Sequence, residues 1–285
     1  MIKTILTPID GSPAAFSAFQ YSLKLAEVLE AAVDVLFVVD QRKTQVPFMY
    51  AGGAYDITYE RIYIPPDQEL REFYERIKTD LNKFAARCNQ HCQELADEAG
   101  VRISTKVIEG YPAEAIQNHA LGSDLLVLGR DGENAGTKQE TVGSTTEELV
   151  RKSPRPVIVC PEEFSVPKKV LFPYDGSRSA ENCLQFYTAH LSFKIPKLLF
   201  LCAECGDETE PYRNEIDYLN QHGAEVKLIQ QEDEPIKAID SIVEQERPDL
   251  IMLGSHGRNK LVDYLLGSTT IHVVRKSNLP VLIVY

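Results

Sequence analysis

Apolar and polar positions follow two different periods along the chain, and these periods alternate. Residues 5–9 and 33–39 are short runs rich in Val, Ile and Leu, which is typical of buried strands. Between them, residues 14–30 place apolar side chains such as Phe16 and Phe19 at helical spacing. Since each apolar run is followed by a helical pattern and another apolar run, we expect βαβ units and a parallel sheet covered on both faces.

The chain also contains an internal repeat. Three segments of the first half recur in the second half, at offsets of 165, 125 and 124: LTPIDGS at 6–12 with LFPYDGS at 171–177, DLLVLG at 124–129 with DLIMLG at 249–254, and GSTT at 143–146 with GSTT at 267–270. A repeat over most of the chain predicts two domains of similar architecture. We place them at residues 1–162 and 167–285.

The two copies differ in length. The offset falls by 40 between the first two matches, so the first copy contains about that many additional residues. We place this insert at residues 41–73, where Pro and Gly predict irregular structure, either a connecting loop or a lid. Residues 161–167 begin and end with proline, which predicts a short, semi-rigid linker between the copies.

Each copy is expected to form five strands. In the first copy we expect strands at residues 5–9, 33–39, 101–108, 125–128 and 157–160, and helices at residues 14–30, 68–99, 112–121 and 143–152. In the second copy we expect strands at residues 169–172, 197–202, 225–230, 250–253 and 281–284, and helices at residues 180–191, 211–221, 235–245 and 267–275. Such sheets bind ligands beyond the carboxyl ends of their strands, which directs attention to Asp10 and Asp175.

Composition and charge exclude several classes of protein. Hydrophobic residues make up 44% and charged residues 25% of the chain, as in ordinary globular domains. The net charge of −12 repels polyanions, so we do not expect nucleic acid as a main partner. No apolar stretch is long enough to span a membrane, and the first residues lack the pattern of a secretory signal. Cytoplasmic location is therefore the default expectation.

A glycine pattern in the second copy suits an anion. Gly254 and Gly257 are followed after nine residues by Gly267 and Ser268, which open a predicted helix, in the order G-x2-G-x9-G-S. Glycines let backbone N–H groups approach an anion, and a helix N-terminus supplies unpaired donors, so phosphate is the ligand that this pattern favours. Hydroxyl donors would come from Ser268 and Thr269, and charge from Arg258 or Lys260. The alternative is that the glycines only form turns and the serine only caps the helix.

The first copy departs from this pattern. Ten residues separate Gly132 from Gly143, and Glu133 stands where the second copy has Arg258. Carboxylates in a loop that should receive phosphate disfavour binding. We therefore expect the second copy to be the better nucleotide site and the first to be degenerate or to bind another ligand.

These residues together resemble the universal stress proteins, in the tandem form with two domains in one chain. The resemblance covers nearly the whole chain and includes the Asp-Gly-Ser turns, the G-x2-G-x9-G-S spacing and the closing Pro280-Val281. It implies two tandem Rossmann-like domains of the adenine nucleotide alpha hydrolase-like type, packed as an intramolecular pseudo-dimer with residues 157–160 and 281–284 at the shared interface. A further homodimer stays open.

The resemblance also implies a ligand and its contacts. ATP, with or without Mg²⁺, would be bound in the second domain by Asp175, Cys202, Gly254, Gly257, Arg258, Gly267, Ser268 and Thr269. A weaker site in the first domain would comprise Asp10, Val38, Gly129, Gly132, Gly143 and Ser144. Asp175 would hold the nucleoside end and Cys202 would lie near the adenine, although Asp175 could instead only stabilise its own turn.

The resulting function is adenine-nucleotide binding for stress-linked regulation, with little or slow hydrolysis. No P-loop and no G-x-G-x-x-G fingerprint occurs after a strand, and His256 lacks an evident catalytic partner. One alternative is a slow Mg²⁺-dependent nucleotide hydrolase that uses Ser268. Another is a thiol or metal protein centred on Cys202 and Cys205; the helical Cys88 and Cys92 are read as buried small side chains.

Overall fold

The computed structural model describes residues 1–45, 53–55, 61–63, 68–130, 142–164, 166–204, 212–256 and 266–285. The first copy contains β1 (Thr4–Ile9), α1 (Pro13–Leu29), β2 (Ala32–Asp40), α2 (Gln41–Thr44), β3 (Gly53–Tyr55), β4 (Arg61–Tyr63), α3 (Gln68–Ala99), β5 (Ile103–Gly110), α4 (Pro112–Ala120), β6 (Leu125–Gly129), α5 (Ser144–Lys152) and β7 (Val157–Cys160). The second contains β8 (Lys169–Pro173), α6 (Arg178–His190), β9 (Lys197–Ala203), α7 (Arg213–Gln221), β10 (Glu225–Gln231), α8 (Pro235–Glu246), β11 (Leu250–Gly254), α9 (Ser268–Lys276) and β12 (Val281–Val284).

Both copies share one ten-stranded sheet. Its strand order is β10-β9-β8-β11-β12-β7-β6-β1-β2-β5, so each copy contributes five neighbouring strands, as expected. Neighbouring strands within each copy are parallel, whereas β12 and β7 are antiparallel, with Leu282 opposite Ile158. This pair joins the two copies, which confirms that residues 157–160 and 281–284 lie at the shared interface. The predicted fold class, an α/β protein with a mostly parallel sheet, is confirmed.

A hydrophobic core covers each face of the sheet. One core includes Tyr21 of α1 and Tyr187 of α6, and the other includes Leu149 of α5 and Val273 of α9. Each core therefore draws side chains from both copies. Fully burying a large apolar side chain contributes about 1.5–3 kcal/mol, so separating the copies would cost stability on both faces.

The insert of the first copy is partly regular. A short antiparallel pair, β3 and β4, lies where irregular structure was expected. The following helix α3 has 32 residues, whereas its counterpart α7 has nine. Cys88 and Cys92 belong to the buried stripe of α3. No helix in the described ranges is both long and apolar enough to cross a membrane.

Candidate functional site

Two matching turns lie at the carboxyl ends of β1 and β8. In the second copy, Oδ1 of Asp175 accepts a hydrogen bond from the backbone N–H of Ser177 at 2.9 Å. The Ser177 hydroxyl in turn caps α6 by accepting from the backbone N–H of Ala180. Asp10 and Ser12 repeat this arrangement at the start of α1, also at 2.9 Å. Each aspartate therefore stabilises its own turn while lying at the edge of the sheet where ligands bind.

The glycines that end β6 and β11 are required by packing. A Cβ on Gly254 would lie 2.9 Å from the backbone carbonyl carbon of Ser179, and one on Gly129 would lie 2.7 Å from that of Ala14. Ser179 and Ala14 occupy equivalent places in the first turns of α6 and α1. The structure thus explains both glycines by the close approach of a helix to a strand end, a packing requirement that was not expected from the sequence.

The helices α5 and α9 begin with a glycine N-cap beside these strand ends. The backbone N–H of Gly267 donates to the carbonyl oxygen of Ser255 at 3.0 Å, and Gly143 donates to Arg130 at the same distance. Within the described part of the chain, no side chain caps either helix, and Ser268 is exposed at the start of α9. The first-turn N–H groups therefore keep their capacity to bind an anion.

The two helix N-termini differ in charge. The first turn of α5 contains Glu147, whereas the first turn of α9 contains no acidic residue. Arg151 donates to Glu147 at 2.8 Å and holds the pKa of that carboxyl below its usual value, so the side chain is charged. A negative charge at this point opposes a second anion. Among the described residues, the first turn of α9 therefore lacks the carboxylate that the first turn of α5 contains.

Serine hydroxyls fix the start of the loop after β11. The Ser177 hydroxyl donates to the carbonyl oxygen of His256 at 3.2 Å, and the Ser179 hydroxyl donates to the same oxygen. Nδ1 of His256 contacts the Ser255 hydroxyl, while its Nε2 is buried and has no hydrogen-bond partner within the described ranges. This ring nitrogen is a polar atom that a ligand could satisfy.

The register of β9 determines which side chain lies at the base end of the predicted site. Val38 of β2 packs with the core that contains α5, as expected for a residue beside that helix. The pairing of β2 with β1 in the first copy has the same register as the pairing of β9 with β8 in the second. In this register the residue equivalent to Val38 is Ala203, not Cys202. Ala203 packs on the core that contains α9. Since successive side chains of a strand alternate, Cys202 lies on the opposite face, like Phe200. The offset of 165 residues between the first pair of repeated segments also relates Val38 to Ala203 in the sequence.

Cysteines in the described ranges do not form an evident metal centre. Cys202 is disulfide-bonded, while Cys88, Cys92, Cys160 and Cys183 are buried free thiols. Burial raises the pKa of the Cys92 thiol to about 12 and also raises that of Cys88, which disfavours the reactive thiolate. Within the described residues, no group of three or more His, Cys, Asp or Glu side chains could hold a metal ion.

Several predicted residues cannot be located. Gly132, Glu133, Cys205, Gly257 and Arg258 lie outside the described residues. Of the remaining predictions, the structure brings Asp175, Gly254, Gly267, Ser268 and Thr269 to one end of the second copy, and Asp10, Val38, Gly129, Gly143 and Ser144 to the same end of the first.

Comparison with known proteins identifies a family and a shared fold. The family model described as Universal stress protein family matches residues 1–161 and 203–285. A universal stress protein of Synechocystis is 26% identical over 99% of both chains, and one of Mycobacterium bovis is 23% identical over 98% of this chain and 94% of its own. The crystal structure of a universal stress protein from Archaeoglobus fulgidus shares the fold, with a TM-score of 0.76 at 23% identity over 99% of this chain and 97% of that one. The chain belongs to the universal stress protein family.

Proposed function

We propose that this protein is a regulatory universal stress protein that binds ATP or another adenine nucleotide in its second domain. The observation that carries the proposal is the N-terminus of α9, which has neither a side-chain cap nor an acidic residue in its first turn. An anion placed there gains backbone donors and a favourable helix dipole. The twin helix α5 offers the same backbone but contains Glu147.

The proposed contacts extend from the phosphates to the ribose and then the adenine. Gly267, Ser268 and Thr269 would bind the phosphates, together with Gly257 and Arg258, and Nε2 of His256 would supply a further polar atom. Asp175 would bind the ribose and Gly254 would shape the end of the strand. Ala203 replaces Cys202 as the residue beside the adenine. The weaker first-domain site would comprise Asp10, Val38, Gly129, Gly132, Gly143 and Ser144.

The nucleotide acts in this proposal as a regulatory ligand in a two-domain chain, with domains at residues 1–162 and 167–285 and a cytoplasmic location. Mg²⁺ would neutralise phosphate charge when it accompanies ATP. Within the described residues, the His256 ring contacts the Ser255 hydroxyl, and no carboxylate there orients the ring as a general base. Binding with little or slow hydrolysis is therefore the proposed activity.

The proposal can be tested with a matched pair of substitutions. Ser268 and Ser144 are the first residues of α9 and α5, and both are exposed. Asp is well tolerated in a first helical turn, so Ser268→Asp and Ser144→Asp should fold alike, but each adds a charge that opposes phosphate. We expect calorimetry with Mg²⁺ present to show that the unmodified full chain binds ATP. Ser268→Asp should weaken this affinity about tenfold or more, and Ser144→Asp should leave it unchanged.

Other results would change the assignment. A loss of binding with Ser144→Asp alone would move the site to the first domain. Absence of ATP binding by the unmodified full chain, together with no nucleotide released from the purified protein on denaturation, would reject the proposal.

A second candidate function is thiol–disulfide exchange at Cys202, which the disulfide at that residue favours. Reduction would add two electrons and two protons and yield two thiols, with a dithiol as the reductant. Alkylation before and after mild reduction, followed by mass spectrometry, would count the thiols released. If reduction releases no additional thiol under non-denaturing conditions, this candidate fails.

A further inference from the structure

The two candidate anion sites are connected through α9. Its N-terminus, at Gly267 and Ser268, forms the proposed phosphate site of the second domain. Its C-terminal cap is Ser277, whose carbonyl oxygen accepts a hydrogen bond at 2.9 Å from Nη1 of Arg130, a residue of the first domain. A helix of nine residues spans about 13.5 Å, so α9 reaches from one site to the other domain.

Arg130 is itself the first residue after β6, where the first-domain loop begins. Its backbone N–H donates to the carbonyl oxygen of Cys160 at 2.9 Å, and its own carbonyl oxygen accepts from the N-cap Gly143 of α5 at 3.0 Å. The backbone of Arg130 therefore supports the first-domain site, while its side chain reaches α9. A guanidinium at a helix C-terminus is also favoured by the helix dipole.

A second contact lies at the same end of α9. Nη2 of Arg275, in the last turn of α9, lies 3.4 Å from Oε1 of Glu147 in the first turn of α5. The C-terminal end of α9 thus touches the first-domain site at two points. The second domain has Ser255 at the position equivalent to Arg130, and this serine contacts its neighbour His256. Among the described residues, no equivalent arginine of the second domain therefore bonds to a helix of the first.

We infer that Arg130 is a positioning residue that makes the affinity of the second-domain nucleotide site depend on the end of β6 in the first domain. The other end of α9 is held by the second domain, where the Thr270 hydroxyl donates to the carbonyl oxygen of Gly254 at 2.9 Å. Displacing Arg130 removes one of the two contacts at the C-terminal end, and the first-turn donors lose part of their fixed orientation. A ligand or partner that moves Arg130 at the end of β6 would act on the nucleotide through this path.

The inference rests on the proposed function for its affinity readout, so the test also has a readout without nucleotide. Arg155 provides the control, because its Nη2 donates at 2.8 Å to the carbonyl oxygen of Leu121, the C-cap residue of α4. Arg155→Ala therefore removes an arginine bond to a helix C-cap within the first domain and leaves α9 untouched. Arg130→Lys keeps the charge but loses the planar donors, and serves if Arg130→Ala folds poorly.

Amide hydrogen exchange of the full chain without nucleotide measures how firmly α9 is held. We expect Arg130→Ala to speed exchange in the first turn of α9 about tenfold, with a smaller effect for Arg130→Lys and none for Arg155→Ala. Calorimetry should then show ATP affinity reduced about fivefold by Arg130→Ala, and unchanged by Arg155→Ala even if both variants lose similar thermal stability.

These measurements distinguish a failure of the Arg130 inference from a failure of the proposed ATP binding. If the wild type binds ATP and Arg130→Ala binds it equally well, the inference is wrong while the proposed function stands. If the wild type binds no ATP, the proposed function fails, and exchange alone decides whether Arg130 positions α9. Equal exchange in Arg130→Ala and Arg155→Ala would overturn the inference in either case.

Discussion

The Thr270 hydroxyl donates to the carbonyl oxygen of Gly254 at 2.9 Å, and this bond fastens the first turn of α9 to the end of β11. Thr146 and Gly129 form the same bond at the same distance in the first copy. Both threonines are buried, so neither hydroxyl is available to a ligand on the surface. The fourth residue of each GSTT segment thus holds the helix in place, while the serine two residues earlier stays exposed.

Replacing Thr270 with Val should separate this positioning role from simple stability. Val has nearly the shape of Thr but no hydroxyl, so the buried carbonyl oxygen of Gly254 loses its partner, which costs about 1–3 kcal/mol. Thr146→Val should cost a similar amount in chemical denaturation. We expect only Thr270→Val to weaken ATP binding in calorimetry, and equal effects of both variants on binding would contradict the assignment to the second domain.

Gly254→Ala should damage the fold before it affects any ligand. The added Cβ would lie 2.9 Å from the backbone carbonyl carbon of Ser179, and backbone cannot move aside as a flexible side chain can. Overpacking of this kind costs about 1–3 kcal/mol, so thermal unfolding without nucleotide should occur at a lower temperature. Gly122→Ala is the control, since its Cβ would lie 3.6 Å from the nearest atom, the His119 carbonyl oxygen. A Gly254→Ala variant as stable as Gly122→Ala would show that the approach of α6 to β11 is less close.

The sequence predicts the fold well because the relevant information is local and occurs twice. The Asp-Gly-Ser turns and the GSTT helix starts mark equivalent places in both copies, and the apolar strands between them fix the order of elements. The orientation of Cys202 is different, since it depends on which face of β9 each side chain occupies. That register follows from the pairing of β9 with β8, which makes Ala203 the residue equivalent to Val38.

Other features of the site have no local signature. The bond from Arg130 to Ser277 joins residues 147 positions apart, and no periodicity or motif around either residue indicates it. The same holds for the bond from Tyr285 to the Val150 carbonyl oxygen, which connects the last residue of the chain to α5 at 2.6 Å. Such contacts arise only when β7 and β12 bring the two copies together. The relation between the two candidate sites is therefore a property of the assembled sheet.

Tyr174 predicts a loss of stability at alkaline pH. Burial raises the pKa of Tyr174 to about 12, with a smaller contribution from the Glu215 carboxylate, whereas an unfolded chain ionises tyrosine near pH 10. Between these values the unfolded chain loses the proton and the folded chain keeps it, so the free energy of unfolding falls as pH rises. The contribution is complete below about pH 10 and is lost through about pH 12.

Denaturant titrations at pH values from 9 to about 11.5 would measure this slope. Tyr174→Phe removes the titrating hydroxyl and should make the fall in unfolding free energy shallower, by up to about 1.4 kcal/mol per pH unit. Tyr218→Phe, at an exposed tyrosine, is the matched control for removal of a tyrosine hydroxyl. An identical slope for Tyr174→Phe and the wild type would show that the Tyr174 hydroxyl ionises alike in the folded and unfolded chains.

Ile271→Glu should give the proposed anion site of α9 a first-turn carboxylate like that of α5. Ile271 occupies in α9 the place that Glu147 occupies in α5, and it packs at the edge of the core. A carboxylate there opposes bound phosphate at short range, so we expect ATP affinity to fall about threefold to tenfold at low salt and less at high salt. Ile271→Gln carries the same loss of packing without the charge and should bind ATP more tightly than Ile271→Glu. If calorimetry finds the two variants equal at low ionic strength, the charge of the first turn does not distinguish the two sites, and the preference for the second domain must come from another source.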